Sequence, residues 1–243
     1  MIAAELRERI LAGEFADGTL LPKQEDLLEQ FGVSPPSIRE ALRILEAEGL
    51  ITVKRGNVGG AVVHAPVASN VAYMLAMVLQ SRAVPLRDVS DALARLDPAC
   101  AAQCATRTDR RRTVVPILRA NIKQSSRVVD DGPAYAATAR RFHQEMVANC
   151  GNETMILVVG TLETMWTEHV RRLSRGRREG QIVATSTPAA RRASLDEHTQ
   201  LVDLIAAGDP AGATRLAHRH LSERQDISYP FPLDTVVSAE ILR

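Results

Sequence analysis

Three histidines carry the strongest chemical signal in this chain. His143, His198 and His220 fall on three different predicted helices, over 133–149, 189–207 and 210–227. Inward-facing residues of separate helices in a bundle converge on one point. Three neutral imidazoles there make a first shell for a divalent transition metal, Zn²⁺ or a nickel-like ion, with positions left open for water or an anionic small molecule. The competing reading is structural: buried histidines hydrogen-bonded to their neighbours need no ion. Arg140 and Arg141 lie on the His143 helix, where an inward guanidinium clamps a carboxylate bidentately, so both are candidate effector-binding residues. His64, His169 and His218 carry no such expectation; His218 is two positions from His220 and faces elsewhere on its helix. Cys100 and Cys104 share a helix face at i, i+4 but have no basic partner visible in sequence, and read as small core residues. Met74, Met77, Met146, Met155 and Met165 read likewise as bundle core.

A second set of groups lies nearer the N-terminus. Lys23, Ser34, Ser37, Arg39, Arg43, Lys54, Arg55 and Gly56 supply cations, hydroxyls and bare backbone, the groups that proteins aim at phosphate oxygens and base edges. The elements that must position them are written in the punctuation between Leu20 and Val63. Leu27 and Leu28 mark a short helix over 24–30, Gly32 permits the left-handed residue that ends it, and Phe31-Gly32-Val33 is the turn. Ser34 is expected to cap a second helix, with Pro35 at its first position. Ile38, Ala41, Leu42, Leu45 and Ala47 form an apolar stripe of period about 3.6, leaving Ser37, Arg39, Glu40 and Arg43 on other faces. Beyond Gly49, alternating Leu50-Ile51-Thr52-Val53 and Ala61-Val62-Val63 flank a glycine-bearing hairpin with Lys54 and Arg55 at its neck. This is the outline of a winged helix-turn-helix, which sets one helix in the major groove of double-stranded DNA and a β-wing against the flanking backbone.

Charge opposes that reading before it supports it. Residues 1–64 hold seven Lys or Arg against ten Asp or Glu, a formal −3, where a DNA-binding module is expected to be basic. The distribution answers the objection. Glu5, Glu8, Glu14, Asp17 and Glu29 lie on or beside other helices, while Lys23, Arg39, Arg43, Lys54 and Arg55 should share one face.

The whole chain of 243 residues, 45% hydrophobic and 24% charged with a net charge of +1, has the composition of a soluble protein with room for a small module and a larger domain. Its longest apolar run, Val71 to Leu79, is too short to cross a bilayer, so no membrane association is expected. Met1 leads into a mixed helix without an export signal, and three cysteines, an odd number, point to a reducing cytoplasm. Pro66 and small residues mark a boundary. The expected organisation is a winged helix-turn-helix over 1–65, a linker over 66–70, a helical effector-binding and dimerisation domain over 71–229 and a tail over 230–243. Strand-like alternation is absent after the wing. Breakers such as Pro85, Gly132-Pro133, Gly151-Asn152 and Gly208-Asp209-Pro210 separate helices expected over 68–81, 86–105, 110–129, 133–149, 153–174, 189–207 and 210–227. The fold class is therefore mainly α: a winged helix-turn-helix followed by an all-helical antiparallel bundle of six or seven helices.

These motifs together resemble the GntR family of bacterial transcription regulators. The resemblance rests on Ile10 and Gly13, Gly18 to Pro22, Gly32-Val33-Ser34, Ile38-Arg39-Glu40-Ala41-Leu42, Leu45, Glu48-Gly49-Leu50 and the wing glycines. Residues 68–229 resemble the FCD effector domain of the FadR-type subgroup, through Arg95-Leu96-Asp97-Pro98, Phe142-His143, Gly151-Asn152, Glu197-His198, Gly208-Asp209 and His220-Leu221. The resemblance implies a homodimeric repressor or activator that binds an operator and senses a small-molecule effector, and the order and spacing of His143, His198 and His220 within it are what single out these three histidines as a ligand set. Four departures accompany it. Pro35 stands where an arginine is usual, Lys23-Gln24 where Ser-Glu is usual, and Leu93 where an arginine usually precedes the acid of the Asp97 motif. Ala139 stands where metal-binding members carry an aspartate one turn before the first histidine; its loss is expected to weaken the site, with a water, Glu145 or an effector carboxylate as the candidates to fill that place.

A ligand-responsive transcription regulator accounts for both halves of the chain. The alternative, a metal-dependent hydrolase-like enzyme using the three-histidine site, needs an open coordination position and a placed general base. No HExxH, nucleophile elbow or phosphate-cradling glycine loop is present, so no catalytic residues are expected and the chain is read as a regulator and not an enzyme.

Overall fold

Leu6, Leu27, Ile38 and Leu45 are fully buried against one another's helices and explain how the N-terminal elements cohere. Helix α1 (Ile2–Leu11), α2 (Gln24–Phe31) and α3 (Pro35–Ala47) pack with the hairpin β1 (Ile51–Lys54) and β2 (Gly60–Val63). The computed structural model describes residues 2–54, 59–65, 68–175, 187–228 and 233–242, the side chains of 68–69, 174–175 and 223–228 excepted. Its chain divides into two units, Met1–Asn70 and Val71–Arg243.

The helix-turn-helix follows its sequence punctuation closely. Gly32 takes φ 61° and ψ 37°, the left-handed region that costs an L side chain dearly, and its N–H donates to the Leu28 carbonyl to end α2. Ser34 is the N-cap of α3 by position but not by hydrogen bond. With prolines at 35 and 36 the first two helical positions have no N–H to receive, and the Ser34 hydroxyl instead pairs with Ser37 Oγ at 3.1 Å. Ile38, Ala41 and Leu45 form the buried stripe of α3, while Ala47 is exposed. The hairpin is antiparallel, with Ile51 opposite Val63 and Lys54 opposite Gly60. Its second strand is also paired on its other edge, a feature the sequence reading did not include: Leu20 bridges Val62, and the Leu21 N–H donates to the Ala61 carbonyl at 2.8 Å.

Among the described residues the second unit is mainly helical: α4 (Ala68–Ser81), α5 (Leu86–Thr106), α6 (Arg110–Thr113), α7 (Val115–Arg127), α8 (Gly132–Ala148), α9 (Glu153–Arg175), α10 (Pro188–Ala207) and α11 (Pro210–Ser228). The helix expected over 110–129 is two helices. Pro116 has no N–H to offer the preceding turn, and the chain breaks at Val114. One core packs Leu118, Phe142, Met146, Leu201 and Ile205 with the three cysteines; a second packs Leu86, Val89, Met165 and Trp166. Met146 and Met165 are core as expected, but Met74 and Met77 are not: they lie on the outer face of α4, Met74 being 60% exposed.

Three arginines close helices other than their own. Arg107 donates to the Asn149 carbonyl, Arg111 to Ala206 and Arg191 to Val129 and Asp130, satisfying carbonyls where helices stop. The segment expected as a mere tail is packed. Val237 is fully buried, its N–H donates to the Val84 carbonyl at 3.0 Å, and the Leu86 N–H donates to Thr235 at 2.8 Å, so residues 233–242 docks along α4, α5 and α9 and ends in a 3-10 turn, Ala239–Leu242.

Candidate functional site

Each histidine of the triad falls on an apolar stripe that its helix must bury. His143 follows Phe142 on α8, His198 continues Ser194, Leu201 and Ile205 on α10, and His220 continues Ala213 and Leu216 on α11. Burying those stripes carries the imidazoles to one place, where one nitrogen from each residue lies within 4.8 Å of the others. His198 and His220 are buried, and His143 is half-buried. The Phe142 ring stacks on His198, centroids 4.2 Å apart and planes 10° from parallel, forming an apolar wall.

The polar partners of these rings decide what they offer. His143 Nδ1 lies 3.0 Å from Asp97 Oδ2, and His220 Nδ1 lies 2.7 Å from Glu197 Oε2. A carboxylate accepts only, so each Nδ1 carries a proton, and in the neutral ring Nε2 is then the nitrogen with the lone pair. His198 Nε2 faces His220 Nε2 at 3.0 Å. Two nitrogens each about 2.1 Å from one ion are separated by about 3.0 Å at octahedral and about 3.4 Å at tetrahedral angles, so the His198–His220 spacing, a hydrogen bond without the ion, is also one that an ion can bridge. The donor set, its spacing and the carboxylate partners behind two of the rings therefore fit a divalent transition metal.

The sequence reading gives Asp97 and Glu197 no role; Glu197 adjoins His198, which was a usable signal, whereas nothing local ties Asp97 to a histidine. Glu145 does not fill the place of the missing aspartate. It sits two positions after His143, on another face of α8, and its Oε1 accepts from Arg141 Nε at 2.8 Å. Arg141 is correspondingly outside the triad, with its side chain 62% exposed. Arg140 is half-buried one turn before His143 and makes no ion pair among the described residues. On α9, burial, reinforced by the charge of Asp97, pushes the Glu163 carboxyl up to about 8, so it is largely protonated at neutral pH.

The three cysteines stay outside this chemistry. All are buried free thiols; Cys104 donates to the Met146 carbonyl at 3.2 Å, and burial pushes it up to about 12. His169 is also buried and serves the fold, bonded through Nδ1 to the Met165 carbonyl and accepting at Nε2 from the Ser238 N–H.

In the N-terminal unit, Lys23, Ser34, Ser37, Arg39, Arg43 and Lys54 are all exposed. Arg43 reaches Glu40 at 3.5 Å, a surface pair worth little, while Lys23, Arg39 and Lys54 make no ion pair among the described residues. Arg7 and Arg9 are committed to Glu48 and Glu14. The acidic excess is thus partly spent on internal pairs, and the cations left over are those of α3, the start of α2 and the end of β1. Arg55 and Gly56 lie outside the described residues. No described helix is long and apolar enough to cross a membrane.

Comparison with known proteins covers both units. Residues 1–62 match the model of the bacterial regulatory proteins of the gntR family, and residues 88–223 match the FCD domain. The HTH-type transcriptional regulator Mce2R of Mycobacterium tuberculosis is 27% identical over 214 residues, 86% of this chain and 82% of that protein. The HTH-type transcriptional regulator YieP of Escherichia coli is 47% identical over 51 residues, 21% of this chain and 22% of YieP. A solved structure described as Streptococcus agalactiae GntR has the same fold, with a TM-score of 0.66 at 20% identity over 93% of this chain and 98% of that one. The hydrolase alternative finds no support in these relatives, which are transcription regulators.

Proposed function

The chain belongs to the gntR family of bacterial regulatory proteins, carries an FCD domain and is a transcription regulator, and from that premise we propose how its two units work. As a homodimer it binds a double-stranded operator through two helix-turn-helix units, one per half-site. Arg39, Arg43, Ser37 and Ser34 on and before α3 meet the major groove, and Lys23, Lys54, Arg55 and the Gly56 backbone meet phosphates. His143, His198 and His220 hold a divalent transition metal. When bound, such an ion supplies open coordination positions for a carboxylate-bearing effector, with Arg140 as the adjacent cation. Effector binding shifts the population of the dimer that fits its operator.

The observation that carries this reading is a buried histidine cluster backed by Asp97 and Glu197 in a chain whose other unit exposes unpaired cations on a helix-turn-helix. The test is operator binding by fluorescence anisotropy, using DNA enriched by the protein from a random library. Affinity is compared for metal-loaded protein, chelator-treated protein and metal-loaded protein with a carboxylic-acid library. At least one acid should change affinity in the loaded form alone. Equal affinity in every arm overturns the effector assignment, and absence of enriched DNA overturns the recognition surface.

A further inference from the structure

We infer that Asp97, reaching in from α5, provides the carboxylate that α8 lacks at Ala139, and that it tunes the three-histidine site by holding His143 as the Nδ1–H tautomer with Nε2 directed to the ion. The inference rests on the metal reading above.

Three neutral imidazoles bring no charge, so a dication among them needs anions nearby to offset its desolvation. Two carboxylates are in place, and they differ. The side chain of Glu197, beside His220, is 22% exposed, whereas that of Asp97 is only 4% exposed. Asp97 is the deep counter-charge. Its Oδ2 is committed to His143 at 3.0 Å, and its Oδ1 is buried with no hydrogen-bond partner among the described residues. A buried carboxylate oxygen left without a partner is costly; Glu145 Oε2 is orphaned too, but on another face of α8, so it is the contact with His143 that singles out Asp97. Near a cation the same group becomes favourable, because the ion supplies the missing compensation.

Position also favours Asp97 over the other acids. Ala139 lies one turn before His143, so an acid there would reach the site along α8; Asp97 reaches the same imidazole from α5 and so does not depend on that helix face. Glu145 is turned to Arg141. Glu163 makes no hydrogen bond or ion pair with the histidines, and burial disfavours its charged form. Asp97 acts here as a positioning residue: a carboxylate behind a ligating imidazole fixes its tautomer and raises its basicity, and losing such a partner typically lowers metal affinity about 10- to 100-fold.

The rival account is that Asp97 stabilises His143 as an imidazolium and keeps metal out. The two accounts predict opposite outcomes. Co²⁺ is titrated into the full-length wild-type chain and into Asp97→Asn, Glu145→Gln and the double variant Asp97→Asn/Ala139→Asp, reading the dissociation constant and the visible absorption of the bound ion. Asp97→Asn should bind about 10- to 100-fold more weakly with an altered spectrum, Glu145→Gln should match wild type, and the added aspartate at 139 should recover affinity. Equal or tighter binding by Asp97→Asn overturns the inference while leaving the metal site intact. Failure of wild type to take up Co²⁺ overturns the metal reading itself, and the inference with it. Should Asp97→Asn not fold, long-range ¹H–¹⁵N spectra of wild type with Zn²⁺ decide: His143 protonated at Nδ1 with a shifted Nε2 supports the inference, and a doubly protonated or Nδ1-bound ring overturns it.

Discussion

The two units hold their candidate groups in opposite ways. In the helix-turn-helix unit, Arg39, Lys23 and Lys54 stand in solvent with no ion-pair partner among the described residues, whereas in the helical unit His198, His220 and Asp97 are buried and bonded to other polar side chains. The difference follows from the ligand each must meet. Phosphates arrive with their own counterions, and a mobile exposed cation gains by releasing them. A small ion or molecule enclosed by protein must find its donors oriented beforehand, because inside a bundle an unpaired polar group is costly. Substitutions should therefore separate cleanly: those in the bundle alter folding and ligand binding together, and those on the reading surface alter DNA binding alone.

The largest break is expected at Phe142, which is fully buried and stacked on His198. Phe142→Ala removes a core ring and one wall of the histidine site, and should cost about 3–5 kcal/mol of stability by urea denaturation. Metal uptake should fall with it. A variant that loses less than about 1 kcal/mol while keeping its metal would show that the ring is not part of the site's support.

Next in size is Arg39→Ala, expected to weaken operator binding by about 1–3 kcal/mol with an unchanged unfolding midpoint. Loss of stability comparable to loss of affinity would erase the proposed contrast between the units. Lys54→Ala is expected to act more gently and uniformly, lowering the slope of log affinity against log salt by about one with little effect on sequence preference. Lys54 donates to no base if it does so.

Legibility in the sequence followed the same division. The helix-turn-helix could be read almost residue by residue because its determinants are local: Gly32 at φ 61° ends one helix, and two prolines after Ser34 start the next. What escaped there was a contact across sequence, the pairing of Leu20 and Leu21 to the outer edge of β2. In the bundle, helix boundaries were legible from glycine and proline, and the three histidines converge as their separate stripes imply. The partners behind them were not. Asp97 is distant in sequence from His143, and nothing in helical periodicity says which acid a buried imidazole will meet. Arg141 misled for the related reason that two adjacent arginines on one helix look alike until their neighbours are known. The C-terminal residues were opaque because their docking depends on Val84, Gln80 and His169, which no local pattern connects to them.

That docked segment provides the smallest and most selective test, since it touches neither surface. Folded, His169 donates from Nδ1 to Met165 and accepts at Nε2 from Ser238, an arrangement available only to the neutral ring. Burial above all, with Arg172 adding to it, holds its pKa below the ordinary histidine value. As pH falls through that ordinary value the unfolded chain takes up a proton that the folded chain refuses, so stability falls. The loss ends once pH has passed below the depressed folded value, where both states are protonated. Hydrogen exchange of the Ser238 and Val237 amides, compared between about pH 7.5 and about pH 5 after correction for intrinsic rates, should show protection lost on the acid side. His169→Gln should flatten that dependence, while metal affinity at His143, His198 and His220 stays at the wild-type value. Protection that is equal at both pH values would mean that the apolar seat of Val237, and not the neutral imidazole, is what holds the segment against α4 and α5.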